Sequence, residues 1–409
     1  MKRSFYYYWF ASTNISLADV IYIMVITTFI YRETQSAFIA ALFPLFNAIS
    51  RFTAGFTTPL LLEKFQYAHL LVSLQIIKAV LITFLIIGFD PITSHIVFLI
   101  LFVLVISFIE GWGSPLLQSV VPRIVSKSEL IKANSSLSIT NQSVQIAGYT
   151  FTGFLVIQFG HMPTLITTAI LLWLASISLY QTSRSFVDEQ RVENRKSRWA
   201  LIKEGWSLLW NNHTLRMVTI MDIIEGMAGT IWIGAITLVY VKEALNQSEE
   251  WWGFINSSYY IGTILGGFMT FWMAKWIQKH LIASMIIGSA FFSLFTLLYG
   301  LNSIPILSLI LCVGMGPAYQ LRDVAQQTAI QTGVDSSLLP KLYASRSIIS
   351  STVTSLSIAI VGLIADFLGI RWVYIFGSIL IATSAFLALA IIRYQKNLKQ
   401  AVPDASLKT

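Results

Sequence analysis

Apolar residues gather into twelve stretches along this chain, at 9–30, 36–62, 69–89, 95–116, 134–159, 163–181, 214–240, 251–276, 281–300, 303–321, 343–366 and 371–393. Each has about the 17–25 residues that an α-helix needs to cross the hydrocarbon of a bilayer. One long polar connection interrupts the series and carries ten charged residues from Arg184 to Glu204, with six stretches on either side. The pattern predicts an all-α membrane protein of twelve transmembrane helices in two six-helix bundles. The first bundle covers 1–182, a cytoplasmic linker loop 183–213, the second bundle 214–395 and a cytoplasmic tail 396–409.

Composition agrees. Apolar residues make up 56% of the 409 and charged residues 11%, with a mean hydropathy of +0.71. Soluble domains carry about 25% charged residues. The net charge of +8 is placed as a membrane protein places it. With the N-terminus in the cytoplasm, 22 of the 27 Lys and Arg fall in the termini, the even-to-odd connections or cytoplasmic helix ends. Arg32, Lys242 and Arg371 fall outside, and Arg51 and Lys78 within spans. This asymmetry predicts a multi-pass protein of the cell membrane with both termini cytoplasmic, and it argues against a nucleic-acid partner. Cys312 is the one cysteine, which excludes an intrachain disulfide. His69, His95, His161, His213 and His280 lie near predicted helix ends without metal-ligand spacing, so neither a metal nor a cofactor is expected. Met1-Lys2-Arg3 and the apolar run after it resemble a signal peptide. Asp19 inside the run and the lack of a small-residue cleavage site make it the first span instead.

Two further patterns refine the organisation. Within the linker, Trp199 to Trp210 reads as an amphipathic interfacial helix, its tryptophans and leucines at the headgroups and Lys203 and Glu204 facing water. The halves also repeat weakly. Gly111-Trp-Gly-Ser-Pro115-Leu-Leu-Gln118 resembles Gly314-Met-Gly-Pro317-Ala-Tyr-Gln320, and the Gly153/Gly160 pair recurs as Gly362/Gly369. Two like-oriented six-helix repeats are one plan of secondary transporters.

Ionisable side chains inside spans cost roughly 2.5–3.5 kcal/mol each on insertion scales and mark functional candidates. Six stand out: Asp19, Arg51, Lys78, Glu110, Asp222 and Glu225. Four acids and two bases do not cancel, so some acid is expected to be hydrated or protonated. Asp19 shares a helix face with Ser12 and Ser16, opposite Val20, Ile21, Val25 and Ile26. Asp222 and Glu225 share a face of the seventh span, with Gly226 and Gly229 nearby. Glu110 lies between Ser107 and Ser114. Arg51 and Lys78 are charge partners for Asp19 or another acid. The fifth span carries a polar stripe of Asn134, Asn141 and Gln145, leading to Gly148.

These residues sit in a wider resemblance. The run Pro115-Leu-Leu-Gln-Ser-Val-Val-Pro122 through Leu130-Ile-Lys-Ala-Asn134 is similar to the signature after the fourth helix of the major facilitator superfamily, in its bacterial multidrug and macrolide-efflux branch. Ser16-Leu-Ala-Asp19 resembles that branch's first-helix pattern, Lys78 stands where the family usually has an arginine, and Glu204-Gly205 to Leu215-Arg216 resembles the run into the seventh helix. Two departures are visible. The loop after the second helix reads Pro59-Leu-Leu-Leu-Glu63-Lys64 in place of a Gly-x-x-x-Asp-Arg motif, and the antiporter-type Gly-Pro of the fifth helix is Gly148-Tyr149.

The resemblance implies the major facilitator fold, with helices 1, 4, 7 and 10 facing a central cavity. It implies a secondary transporter, and no enzyme: proton-coupled efflux of a lipophilic or cationic small molecule by alternating access. On that reading Asp19, Glu110, Asp222, Glu225, Asn141 and Gln145 bind proton or substrate, and Glu63 and Lys64 form a cytoplasmic gate. The expected partners are a small-molecule substrate, protons and the lipid bilayer, with the chain a monomer. Two alternatives stay open: an importer or facilitator of a native metabolite, and a membrane-embedded lipid-modifying enzyme. The enzyme lacks support from any nucleophile or metal constellation in the sequence.

Overall fold

The first apolar stretch has no internal proline or glycine to interrupt it, and it becomes one continuous helix, α1, Arg3–Thr34. The other apolar stretches also become helices, even where they contain proline or glycine, in the computed structural model, which describes residues 1–34, 37–94, 96–186, 198–232 and 234–401. The twelve long helices are α1, α2 (Ala37–Lys64), α3 (Tyr67–Ile87), α4 (Ile96–Gln118), α5 (Leu130–Phe159), α6 (His161–Ser183), α7 (His213–Gly229, resumed as Gly234–Glu243), α8 (Glu250–Trp272), α9 (Leu281–Leu301), α10 (Pro305–Gly333), α11 (Leu339–Leu368) and α12 (Ile370–Ala401). Every predicted stretch therefore has its helix, and no strand occurs among the described residues. Among the described residues, seven helices are long and apolar enough by hydropathy alone to cross a membrane, or eight if the two pieces of α7 count as one span. α5 falls below that hydropathy because of its asparagines, glutamines and hydroxyls, and α10 because of its glutamines, Arg322 and Asp323. Large apolar side chains such as Ile87, Phe151 and Phe367 lie 80%, 64% and 81% exposed, which only a lipid environment tolerates at this density.

The chain divides into two compact units, one of Met1–Ser207 with Val334–Ser351, the other of Leu208–Gly333 with the chain from Thr352 on. In the first unit α1 packs against α6 and α5, and α2 against α4. Its core runs through Ile21, Val25, Ile26, Ile82, Leu85, Leu99 and Leu172. The apolar side of α1 is thus buried between helices and does not face lipid. In the second unit α10 packs against both α8 and α9, and α9 against α12. The fully buried Tyr240, Tyr299 and Tyr374 pack together at centroid distances of 4.4–5.0 Å, Tyr240 stacked on Tyr299 and Tyr374 edge-on to both. Arg371 ties the ends of three segments there, donating to the carbonyls of Gly300 (3.0 Å), Asn302 (2.9 Å) and Ala244 (3.2 Å). A cation at helix C-termini satisfies carbonyls that have no partner within their own helix.

The internal repeat is visible in the backbone. α5 ends at Gly160 with φ +81°, and α11 ends at Gly369 with φ +94°. The amide of each closes its helix, on Val156 O at 3.0 Å and on Ala365 O at 3.1 Å. Glycine adopts this left-handed conformation without steric cost, so each stands where one long helix turns directly into the next.

The linker helix, Arg198–Asn211, differs from its expected orientation. Trp199 is 73% exposed as anticipated, but Leu201 and Leu209 are buried in protein. Glu204 pairs with Lys341 at 2.8 Å and does not simply face water. Gly205 explains the contact: a Cβ there would lie 2.5 Å from Lys341 O, so only glycine lets the start of α11 come this close. Part of the linker, residues 187–197, lies outside the described residues, as do His95 and the end of the tail, 402–409.

Candidate functional site: two buried ion clusters

In the first unit, the in-span charges meet. Lys78 of α3 reaches Asp19 of α1 and, at 2.6 Å, Glu110 of α4. Arg51 of α2 stands 3.9 Å from the other oxygen of Glu110. The side chains of Lys78 and Glu110 are 5% and 8% exposed, that of Asp19 is 28% exposed and that of Arg51 44%. One ammonium therefore serves two carboxylates, and the more open end of the cluster is Asp19.

Local sequence dictates this meeting. Gly111 follows Glu110, and a Cβ on it would lie 2.6 Å from Ala54 Cβ and 3.1 Å from Arg51 Cα. The glycine brings α2 against α4 and puts Arg51 within reach of Glu110. On the other side, Gly148 of α5 faces Val20 of α1, where a Cβ would lie 2.9 Å from Val20 Cγ1. That close approach places the α5 stripe beside the serine face of α1, and Ser16 donates to Asn141 Oδ1 at 3.2 Å. Gln145 is half-buried on the same helix.

The second unit builds a different cluster. Glu225 of α7 is buried; its carboxylate accepts from Gln326 Nε2 (3.1 Å) of α10, Ser289 Oγ (3.2 Å) of α9 and Ser384 Oγ of α12, and forms an ion pair with Arg322 of α10, whose Nε lies 3.2 Å away. The guanidinium of Arg322 also lies 4.9 Å from the Tyr319 ring centroid and 5.5 Å from that of Phe292, a favourable setting for a cation. A glycine again permits the approach. On Gly288 of α9 a Cβ would lie 2.8 Å from Arg322 N and 2.7 Å from Ala318 O. Asp222, one turn before Glu225, is half-buried.

The sequence missed Arg322, Gln326, Ser289 and Ser384. The predicted tenth span, 303–321, stops one residue short of Arg322. α10 instead continues to Gly333 and carries Arg322 into the protein at 6% exposure. The signal was available: Arg322 and Gln326 are four apart, as two groups facing one carboxylate on a neighbouring helix must be.

Glu63 and Lys64 close α2. Lys64 is exposed, with Nζ 5.6 Å from the Phe65 ring centroid. Nearby, segment Val334–Ser351 is held within its unit by Arg123, which donates to Ser336 O at 2.7 Å and stacks 3.9 Å over Tyr67. The Lys341–Glu204 pair holds it too. Among the described residues no group of three or more His, Cys, Asp or Glu is arranged to hold a metal.

Comparison with known proteins identifies the architecture. The family model described as Major Facilitator Superfamily matches residues 5–360. The chain is 33% identical over 407 residues to the uncharacterized MFS-type transporter YfmI of Bacillus subtilis (strain 168), covering 98% of this chain and 99% of that protein. It is 28% identical over 379 residues to YjbB of the same organism, covering 92% of each. Among solved structures it resembles a bacterial homologue of the iron transporter ferroportin in the outward-facing state (TM-score 0.76, 11% identity, 96% of this chain and 100% of that one). It also resembles the E. coli fucose:proton symporter FucP (TM-score 0.74, 12% identity, 94% and 98%). At such identities the structural likeness speaks for the fold alone. The chain belongs to the Major Facilitator Superfamily and is a multi-pass membrane transporter of the major facilitator fold.

Proposed function

We propose that this superfamily member is a proton-coupled exporter of lipophilic or cationic small molecules, working by alternating access of its two six-helix halves. The observation that carries the reading is the sharing of Lys78 between Asp19 and Glu110. An ammonium between two carboxylates has two positions of similar energy, and a proton on one carboxylate decides between them. With Asp19 ionised, Lys78 bridges both acids. With Asp19 protonated, Lys78 withdraws towards Glu110, and the tie between α1 and α3 is released. A ligand changes a conformational equilibrium only through differential affinity for its states, and this exchange supplies one for the proton. A cationic substrate competes for the same carboxylate, which is the requirement for antiport. Asp222, Glu225, Asn141 and Gln145 are the remaining candidates for proton or substrate contact. Glu63 and Lys64 are the candidates for a cytoplasmic gate, in a protein with both termini in the cytoplasm.

The test is purified protein in sealed vesicles under an imposed pH gradient, with a lipophilic dye cation as substrate. Asp19→Asn keeps size and hydrogen bonding but not titration. It is expected to abolish gradient-driven accumulation while leaving dye exchange at equal pH. Accumulation at the wild-type rate and pH dependence would make Asp19 structural. Driven movement in the opposite direction would establish import.

A further inference from the structure

α11 is one unbroken helix, Leu339–Leu368, yet it is divided between the units. Its residues up to Ser351 fall in the first unit and those from Thr352 in the second. The linker helix, Arg198–Asn211, divides in the same way, between Ser207 and Leu208. Among the described residues these are the two helices that pass from one unit into the other. They touch inside the first unit, shortly before each one crosses.

Within the first unit the start of α11 rests on two glycines. At Gly205 of the linker helix, a Cβ would lie 2.5 Å from Lys341 O, with Ser345 Oγ as close. At Gly55 of α2, a Cβ would lie 2.5 Å from Ile348 Cγ1 and 3.1 Å from Ala344 O. A glycine has no side chain to interlock and few atoms for dispersion contact. The two seats therefore set how close the helices come, and they do little to hold them there. The fastening is polar. Glu204, beside Gly205, pairs with Lys341 at 2.8 Å, and the two side chains are 19% and 17% exposed. Such a pair is partly shielded from water, so it attracts more strongly than a fully exposed one. It is also open enough for water to reach both charges when it parts, which spares it the large cost of breaking a fully buried pair.

We propose that the linker helix is a releasable clasp on α11, with Glu204 as its positioning residue. Closed, the Glu204–Lys341 pair keeps Gly205 seated on α11 and the start of α11 in the first unit. Open, the linker helix lifts from its seat and the start of α11 follows the rest of its own helix. The inference rests on the alternating-access reading, because only halves that move need a crossing that can be released.

The first test needs no substrate. Lys203 and Ser337 are exposed, and spin labels on Lys203→Cys and Ser337→Cys in a Cys312→Ser background report how far the linker helix stands from the segment leading into α11. The full-length protein is measured in nanodiscs. Glu204→Gln keeps the shape of the side chain and removes its charge. It should raise the population at longer distance about fivefold, the scale expected for one partly exposed ion pair. Exchanging the charges, Glu204→Lys with Lys341→Glu, should restore the parent distribution. An unchanged distribution in Glu204→Gln would overturn the proposal, as would an exchange that restores no more than Glu204→Lys alone. The second test asks whether the clasp has to open. Glu204→Cys and Lys341→Cys, joined by a short reducible cross-linker in the Cys312→Ser background, should stop exchange of the lipophilic dye cation at equal pH, and reduction should bring it back. Exchange at the same rate with the cross-link in place would sink the clasp. Absence of dye exchange before cross-linking would count against the transport reading, and the spin-label distances would still decide for or against the clasp.

Discussion

The two units solve the same problem, a carboxylate on the first helix of a six-helix set, in opposite ways. In the first, Asp19 and Glu110 divide one lysine, with Arg51 at 3.9 Å as a distant second cation. In the second, Glu225 alone collects an arginine, a glutamine and two serines from three helices. A carboxylate with one ion-pair partner and three donors from fixed helices has one low-energy arrangement. A lysine with two acceptors has two. On the proposed reading, depth in the membrane does not by itself mark a coupling residue. The ratio of donors to acceptors decides whether a buried charge can change partners.

The comparison breaks most decisively at Lys78. Lys78→Ala leaves the buried Glu110 and the half-buried Asp19 beside one remote arginine. Removing one partner of a buried pair costs about 3–5 kcal/mol, so thermal unfolding in detergent should show a large loss. Asp19→Asn in the same chain should recover most of it by removing the uncompensated charge. If the double variant stays as unstable as the single one, the lysine acts through packing and the shared-charge account fails.

Glu225 gives the next effect. Arg322→Ala strips the cation from Glu225 but leaves three neutral donors, so the loss should be smaller, about 2–3 kcal/mol. On the proposed reading, with Glu225 contacting substrate and not the proton, Glu225→Gln should lower stability without moving the pH dependence of transport, whereas Asp19→Asn should remove that dependence with little change in stability. A shifted pH profile in Glu225→Gln would place a titrating group in both units and erase the distinction.

The glycines sharpen the comparison at the smallest scale. Gly111→Ala and Gly288→Ala each force a methyl to within 2.6–2.8 Å of a neighbouring helix, and overpacking of this kind costs typically 1–3 kcal/mol. Gly113→Ala meets nothing within 4 Å and should be neutral or slightly stabilising, since alanine is the better helix former. If the close approach serves the ion clusters, Gly111→Ala should also weaken transport, measurable as a lower initial rate at equal protein in the membrane.

The chain's own order determined much of this. Twelve apolar stretches, the charged linker between the sixth and seventh, and the placement of Asp19, Lys78 and Glu110 within spans were all legible, because hydropathy is a local property read one window at a time. The glycines that end α5 and α11 were legible as a repeat for the same reason. Tertiary structure alone decided which charges are partners. Glu225 meets Ser289, Gln326 and Ser384 across separations of 64, 101 and 159 residues, and no local window spans such distances. It also decided that α10 runs twelve residues past its apolar stretch, to Gly333. A helix can carry an arginine into the interior when a neighbour supplies the carboxylate, and that neighbour becomes visible only once the helices are packed.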